Sequence, residues 1–162
     1  MITLNDPSLL KMDAFINGKF IYAQKDKRFS VTNPANGEVI AEVADFGADG
    51  IAAAIDAAEV ARHAWATRTA KDRAGILRRW YDLCIEHAYD LATILTAEMG
   101  KPLAEAKGEI LYGSSFIEWF AEEAKRVSGD VLESPFPDKK FLVLKQPVGV
   151  FGAITPWNFP NH

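Results

Sequence analysis

Few side chains in this 162-residue chain are of a type and in a setting that could do chemistry. Cys84 is the single thiol, and a thiolate is a common nucleophile for a carbonyl. It stands between Leu83 and Ile85, on an apolar stripe shared with Trp80. An apolar setting raises a thiol pKa and makes it inert, so Cys84 reads as a core residue. His63, His87 and His162 are scattered, and no metal site is expected. Glu118, Glu122, Glu123 and Arg126 read as a solvated helix face with i,i+4 pairing. Tyr112 and Trp119 are seven residues apart, which puts them on one face of a helix. An aromatic stripe at this spacing is usually core. Near the end, Asn158 follows Pro156 and Trp157, a composition that favours a bend. Gly149 and Gly152 lie just before it without making G-x-G-x-x-G.

These residues need elements to hold them. Residues 1–12 read as a loosely held tail, and the folded unit as 13–162. Asn17-Gly18 between short apolar runs predicts a tight hairpin, because both central residues of a type I′ turn need positive φ. A second hairpin is expected over Phe29 to Val43, around Asn36-Gly37, with Pro34 lengthening its loop. The middle of the chain is helical. Ile51, Ile55, Ala58, Ala61 and Trp65 form one stripe, Ile76, Leu77, Trp80, Leu83 and Cys84 a second, and Leu91, Ile94, Leu95 and Met99 a third. Thr69 with Asp72 resembles a capping box. Gly100 is placed to end one helix and Pro102 to begin the next.

The longest helix is expected over Pro102 to Val127, with Leu103, Ala106, Ile110, Gly113, Ile117, Phe120, Ala124 and Val127 on its buried face. Gly113 costs this helix up to ~1 kcal/mol relative to Ala. Ala106 and Gly113 are small, so another element can approach closely there. Ser134 to Asp138 carries two prolines and breaks the helical pattern. Strands are expected at Phe141 to Leu144 and at Val148 to Ile154.

The last of these strands is apolar on both faces. Such a strand belongs inside a parallel sheet covered by helices, which gives the α/β class. Parallel neighbours need crossovers, and too few residues follow Ile154 to make one. The sequence therefore reads as an incomplete α/β domain: N-terminal hairpins, a helical layer and a first sheet strand.

At 49% hydrophobic and 25% charged, the composition is that of a globular protein. The formal charge of -4, with no Lys/Arg-rich run, offers no footprint for nucleic acid. No apolar stretch approaches 18 residues, so no membrane span is expected. A single Cys excludes an internal disulfide, and with no signal-like N-terminus a cytoplasmic location is the simplest expectation.

Ile154-Thr155-Pro156-Trp157-Asn158-Phe159-Pro160 resembles the motif that closes the first strand of the cofactor-binding domain in the aldehyde dehydrogenase superfamily. NPANGEVI (Asn33 to Ile40), MGKP (Met99 to Pro102), KGEI (Lys107 to Ile110) and FIEWFAEEAKR (Phe116 to Arg126) stand in the expected order before it. The resemblance runs from about Asp13 onward, and KPLAEAKGEI with SFIEWFAEE is most similar to the succinate-semialdehyde dehydrogenase branch.

The resemblance implies oxidation of a small aldehyde to its acid through a thioester, with NAD or NADP taking the hydride. It assigns Asn158 as the amide donor to the oxyanion. Ile154, Thr155, Pro156 and Trp157 are assigned to the nicotinamide end of the cofactor site. Tyr112, Trp119 and Phe159 fall to the substrate passage, with Phe159 nearly as readily a core residue. It implies a homo-oligomer, with residues 128–147 bridging subunits, and places the nucleophile and general base beyond this chain. Two other readings stand beside it: a truncated assembly or binding module without catalysis, and a dehydrogenase for glutarate semialdehyde or a broader range of aldehydes.

Overall fold

The computed structural model describes residues 2–24 and 27–161. Two antiparallel hairpins come first. β1 (Ala14–Ile16) pairs with β2 (Lys19–Ile21) across Asn17 and Gly18, whose φ values of 50° and 76° are the pair a type I′ turn requires. β3 (Arg28–Thr32) pairs with β4 (Val39–Ala44), with a register shift between Val31 and Thr32 and a longer connection through Pro34 and Gly37. Arg28 joins the two hairpins. Its guanidinium donates to the Ala23 carbonyl at 3.0 Å and the Glu42 carbonyl at 2.8 Å, and forms an ion pair with Asp13.

Four helices follow: α1 (Gly47–Ala66), α2 (Ala70–Glu86), α3 (Ala88–Met99) and α4 (Leu103–Glu123), the last extended by a 3-10 turn at Ala124–Arg126. Local chemistry sets their ends. Thr69 caps α2 by accepting from the Asp72 N–H at 3.1 Å, while its hydroxyl donates to the Asp72 carboxylate at 2.8 Å. Gly100 ends α3 in the left-handed region, at φ 84°, and Pro102 stands at the N-cap of α4. A third hairpin, β5 (Asp130–Glu133) with β6 (Lys140–Val143), projects after α4 with every residue exposed.

The buried core is Ala88, Ala92, Leu95, Ala106 and Ile110, flanked by Leu91 and Met99. It lies between α3 and α4, where small side chains let the helices approach. The stripes expected on α1 and α2 do exist, but they are not core: Ile51 is 62% exposed, and Ile55, Trp65, Ile76 and Trp80 are exposed as well. An apolar face is buried only where another element covers it, and the described residues supply no such cover for α1, which buries no residue.

The N-terminal segment, expected as a loose tail, is pinned instead. Asp90, 2% exposed in the first turn of α3, accepts from the N–H groups of Asn5 at 3.0 Å and Asp6 at 2.8 Å, and from the Asn5 side chain at 3.0 Å. Asp6 then caps a short 3-10 turn at Pro7–Leu9, its carboxylate accepting from the Ser8 N–H at 2.9 Å. The N–H donors of Asn5 and Asp6 hold the Asp90 carboxyl below its usual value of 3.8. A depressed carboxylate pKa contributes stability above 3.8 that disappears as pH falls through the folded-state value. Asp90→Asn is therefore expected to lower the melting temperature of the chain at about pH 7, and the gap from the unmodified chain should narrow once the pH is taken below 3.8. Thermal melts at the two pH values check this; a gap independent of pH would assign the loss to packing.

Candidate active site

The C-terminal segment passes across the helical layer. Residues Val148 to Ile154, expected as a strand, form no ladder; a strand needs a neighbour's N–H and C=O groups, and the described residues offer none there. The segment runs beside α1 instead, with Val150 and Phe151 bordering a hollow shared with Ala61 and Trp65. Val148 and Ile154 are almost wholly exposed. The chain then folds into a β-turn over Pro156–Phe159, closed by the Phe159 N–H donating to the Pro156 carbonyl at 3.1 Å. Trp157 and Asn158 are its two central residues, and both side chains are exposed. Among the described residues none hydrogen-bonds the Asn158 side-chain amide.

That turn is held from beneath by a buried ion pair. Lys101, between α3 and α4, meets Glu109 of α4, and both side chains are almost fully buried. The Lys101 ammonium also donates to the Asn158 carbonyl at 3.1 Å and sits 4.0 Å from the centre of the Phe159 ring. The second oxygen of the Glu109 carboxylate accepts from the Asn161 N–H at 3.1 Å. A β-carbon built on Gly113 would lie 2.0 Å from the Asn161 carbonyl oxygen, so only glycine admits the chain at that level of α4. The close approach expected at the small residues of α4 is thus made by the C-terminal turn.

Tyr112, Phe116 and Trp119 of α4 line one hollow, where the Tyr112 and Phe116 rings meet edge to face at 5.0 Å. A second hollow brings Tyr112 and Phe116 together with Thr155, Pro160 and Trp80. The helix and the terminal turn thus share a surface, with Tyr112 common to both depressions. Phe159 belongs to neither; its ring turns towards Lys101. Cys84 is half-buried between α2 and α4. Burial pushes its thiol up, against the opposing pull of hydrogen bonds with Ser114 and Trp80, which is the reverse of what a nucleophile requires. Among the described residues no group of His, Cys, Asp and Glu could hold a metal ion.

The aldehyde dehydrogenase family model matches residues 20–162. The chain belongs to the aldehyde dehydrogenase family. It is 55% identical to the NADP-dependent succinate-semialdehyde dehydrogenase of Escherichia coli (strain K12) over 157 residues, 97% of this chain and 33% of that protein. It is 54% identical to a glutarate-semialdehyde dehydrogenase of Pseudomonas putida, with the same coverage. The crystal structure of an aldehyde dehydrogenase from Brucella melitensis biovar abortus 2308 superposes with a TM-score of 0.95 at 55% identity, covering 99% of this chain and 33% of that one. The chain spans about a third of the length of the curated relatives it matches.

For an aldehyde dehydrogenase segment, the Lys101–Glu109 pair was the feature hardest to find from sequence. Its one signal is Glu109 itself, a carboxylate on the same helix face as Ala106, Ile110 and Gly113, where only apolar or small residues belong. The contact at Gly113 gives a direct test. Gly108, on the same helix, has open space where a β-carbon would stand. Gly108→Ala is expected to stabilise the chain by about 0.5–1 kcal/mol through helix propensity. Gly113→Ala should lose that gain and shift the emission of Trp80, which shares a hollow with Gly113, Pro160 and Asn161, as the turn lifts, measured by denaturant unfolding and emission spectra. Equal stabilisation by both would show that the turn does not dock on Gly113.

Proposed function

We propose that this chain is the N-terminal part of an NAD(P)-dependent dehydrogenase that oxidises an aldehyde with an anionic far end, succinate semialdehyde first, to the carboxylic acid through a thioester. The observation that carries the reading is Asn158 at the centre of a β-turn whose main chain is anchored and whose side-chain amide is exposed. When a thiolate attacks an aldehyde, negative charge develops on the carbonyl oxygen. A neutral amide aimed at that oxygen stabilises the charge without losing a proton at working pH. Asn158 is assigned that task.

Relatives support the substrate class. Besides the succinate- and glutarate-semialdehyde enzymes, a 3-sulfolactaldehyde dehydrogenase of Pseudomonas putida is 53% identical over 161 residues. All three names describe an aldehyde with a carboxylate or sulfonate elsewhere in the molecule. Tyr112 and Trp119 form the apolar wall along which such an aldehyde enters, and Phe159 borders the turn from the Lys101 side.

The nicotinamide end of the cofactor falls to Ile154, Thr155, Pro156 and Trp157. They present exposed apolar and aromatic surface beside one hydroxyl, a set that fits a flat aromatic ring rather than a phosphate. When bound, the cofactor accepts the hydride. Structures of family members hold NAD+ or NAP: one of betaine aldehyde dehydrogenase from Staphylococcus aureus, 31% identical, is titled a complex with NAD+, and one of 3,6-anhydro-L-galactose dehydrogenase, 34% identical, a complex with NAP. Residues 128–147, with the exposed β5–β6 hairpin, are assigned to subunit contacts in a homo-oligomer.

In the complete dehydrogenase, Asn158→Ala is expected to lower kcat for succinate semialdehyde by about 10²–10³, the cost of removing one oxyanion donor. Steady-state assays with either nicotinamide cofactor read this, and an unchanged kcat would remove Asn158 from the mechanism. The 162-residue chain alone should produce no NAD(P)H from succinate semialdehyde, since Cys84 is unsuited as the nucleophile. Turnover by the isolated chain would overturn that division of labour.

A further inference from the structure

We propose that Lys101 and Glu109 form a positioning pair for Asn158, holding the turn so that its amide faces the developing oxyanion. The proposal rests on the reading of Asn158 as the oxyanion donor and adds the residues that aim it.

The pair grips the turn through main-chain groups, at two places three residues apart. Lys101 donates to the Asn158 carbonyl at 3.1 Å, and Glu109 accepts from the Asn161 N–H at 3.1 Å. The same ammonium lies 4.0 Å from the centre of the Phe159 ring, so one of the two residues between those points is held as well. Gly113 lets the Asn161 carbonyl settle against α4. A fixed carbonyl at Asn158 fixes the peptide plane from which the side chain departs. The amide itself is left exposed and without a protein hydrogen bond among the described residues.

The chemistry of the pair fits this use better than a stabilising one. A surface hairpin such as β5–β6 closes with an exposed Lys140–Glu133 contact at 3.3 Å, which costs little desolvation. Lys101 and Glu109 are nearly fully buried, where a hydrophobic pair would serve stability at least as well. What the charged pair supplies instead is direction: an ammonium and a carboxylate can each bind a second group while bound to each other. Lys101 uses its remaining capacity on the Asn158 carbonyl and the Phe159 face, and Glu109 on the Asn161 N–H. The Phe159–Pro156 hydrogen bond closes the turn on itself, and the pair ties it to α4.

The test uses the complete dehydrogenase with succinate semialdehyde. Lys101→Met keeps the unbranched stem and removes the charge. Because it leaves Glu109 buried and unpaired, K101M/E109Q is made beside it, with no charge left to destabilise the fold. Both changes are then repeated on the Asn158→Ala background, with melting temperatures for every variant. The expected result is a fall in kcat of about 10- to 100-fold for the folded charge-free variant, the scale on which a displacement near 1 Å acts, with KM for the aldehyde within about three-fold. On the N158A background the same changes should add less than about two-fold, because a group that acts through Asn158 has nothing left to aim. An unchanged kcat in K101M/E109Q overturns the proposal. So do effects that multiply with N158A, which assign the pair a structural role. If N158A alone leaves kcat intact, the oxyanion reading fails first and takes this proposal with it; if N158A is impaired and the cycle is additive, only the positioning role falls.

Discussion

One buried ion pair organises the C-terminal turn of this chain. Lys101 and Glu109 lie at the junction of α3, α4 and the C-terminal turn, and each holds the other and a part of that turn. A buried charge deprived of its partner costs a fold about 3–5 kcal/mol. The pair is therefore an all-or-none arrangement. Either the loop after Gly100, the middle of α4 and the Asn158 main chain are all in place, or one charge is stranded. This couples the Asn158 turn, which has no sheet behind it among the described residues, to the best-packed part of the molecule.

That packed part is made mainly of small residues. Ala88, Ala92, Ala106 and Ala121 are buried together with Gly113, and large side chains are mostly at the surface. Small residues bury little apolar area each, but they bring helix backbones close and leave room for the turn above α4. The cost appears on the other faces: Ile51, Ile55, Trp80 and Phe120 stand exposed in stripes of the right helical period. Among the described residues nothing covers these faces.

What the sequence announced was local, and what it concealed was distant. The Asn17-Gly18 turn, the Thr69–Asp72 cap, the Gly100 stop and the long helix up to Glu123 are each decided within a few residues, by φ requirements or by one side chain meeting one N–H. The apolar stripes were also legible, but their burial was not, because burial depends on a partner surface rather than on period. The anchoring of Asn5 and Asp6 by Asp90 joins residues about 85 positions apart, and no pattern marks it. At the candidate site, the sevenfold spacing of Tyr112 and Trp119 placed them on one hollow, and the Pro-Trp-Asn composition gave a turn. The direction of Phe159 could not be foreseen, since it is set by Lys101, 58 positions earlier in the numbering.

The separation in sequence between the two sides of the Lys101–Asn158 contact has a kinetic consequence. The helical cluster of Ala88, Ala92, Leu95, Ala106 and Ile110 lies within one short stretch of chain, so it closes small loops and can form early. The turn must instead return across 57 residues to reach Lys101 and 52 to reach Glu109. Loop closure of that length comes after local helix pairing. The order of assembly is thus written into the topology: a seat for the turn exists before the turn arrives. During synthesis from the N-terminus, a ribosome would release the anchoring pair roughly 50 residues ahead of the group it receives, and the last event in folding this segment would be the seating of the Asn158 turn.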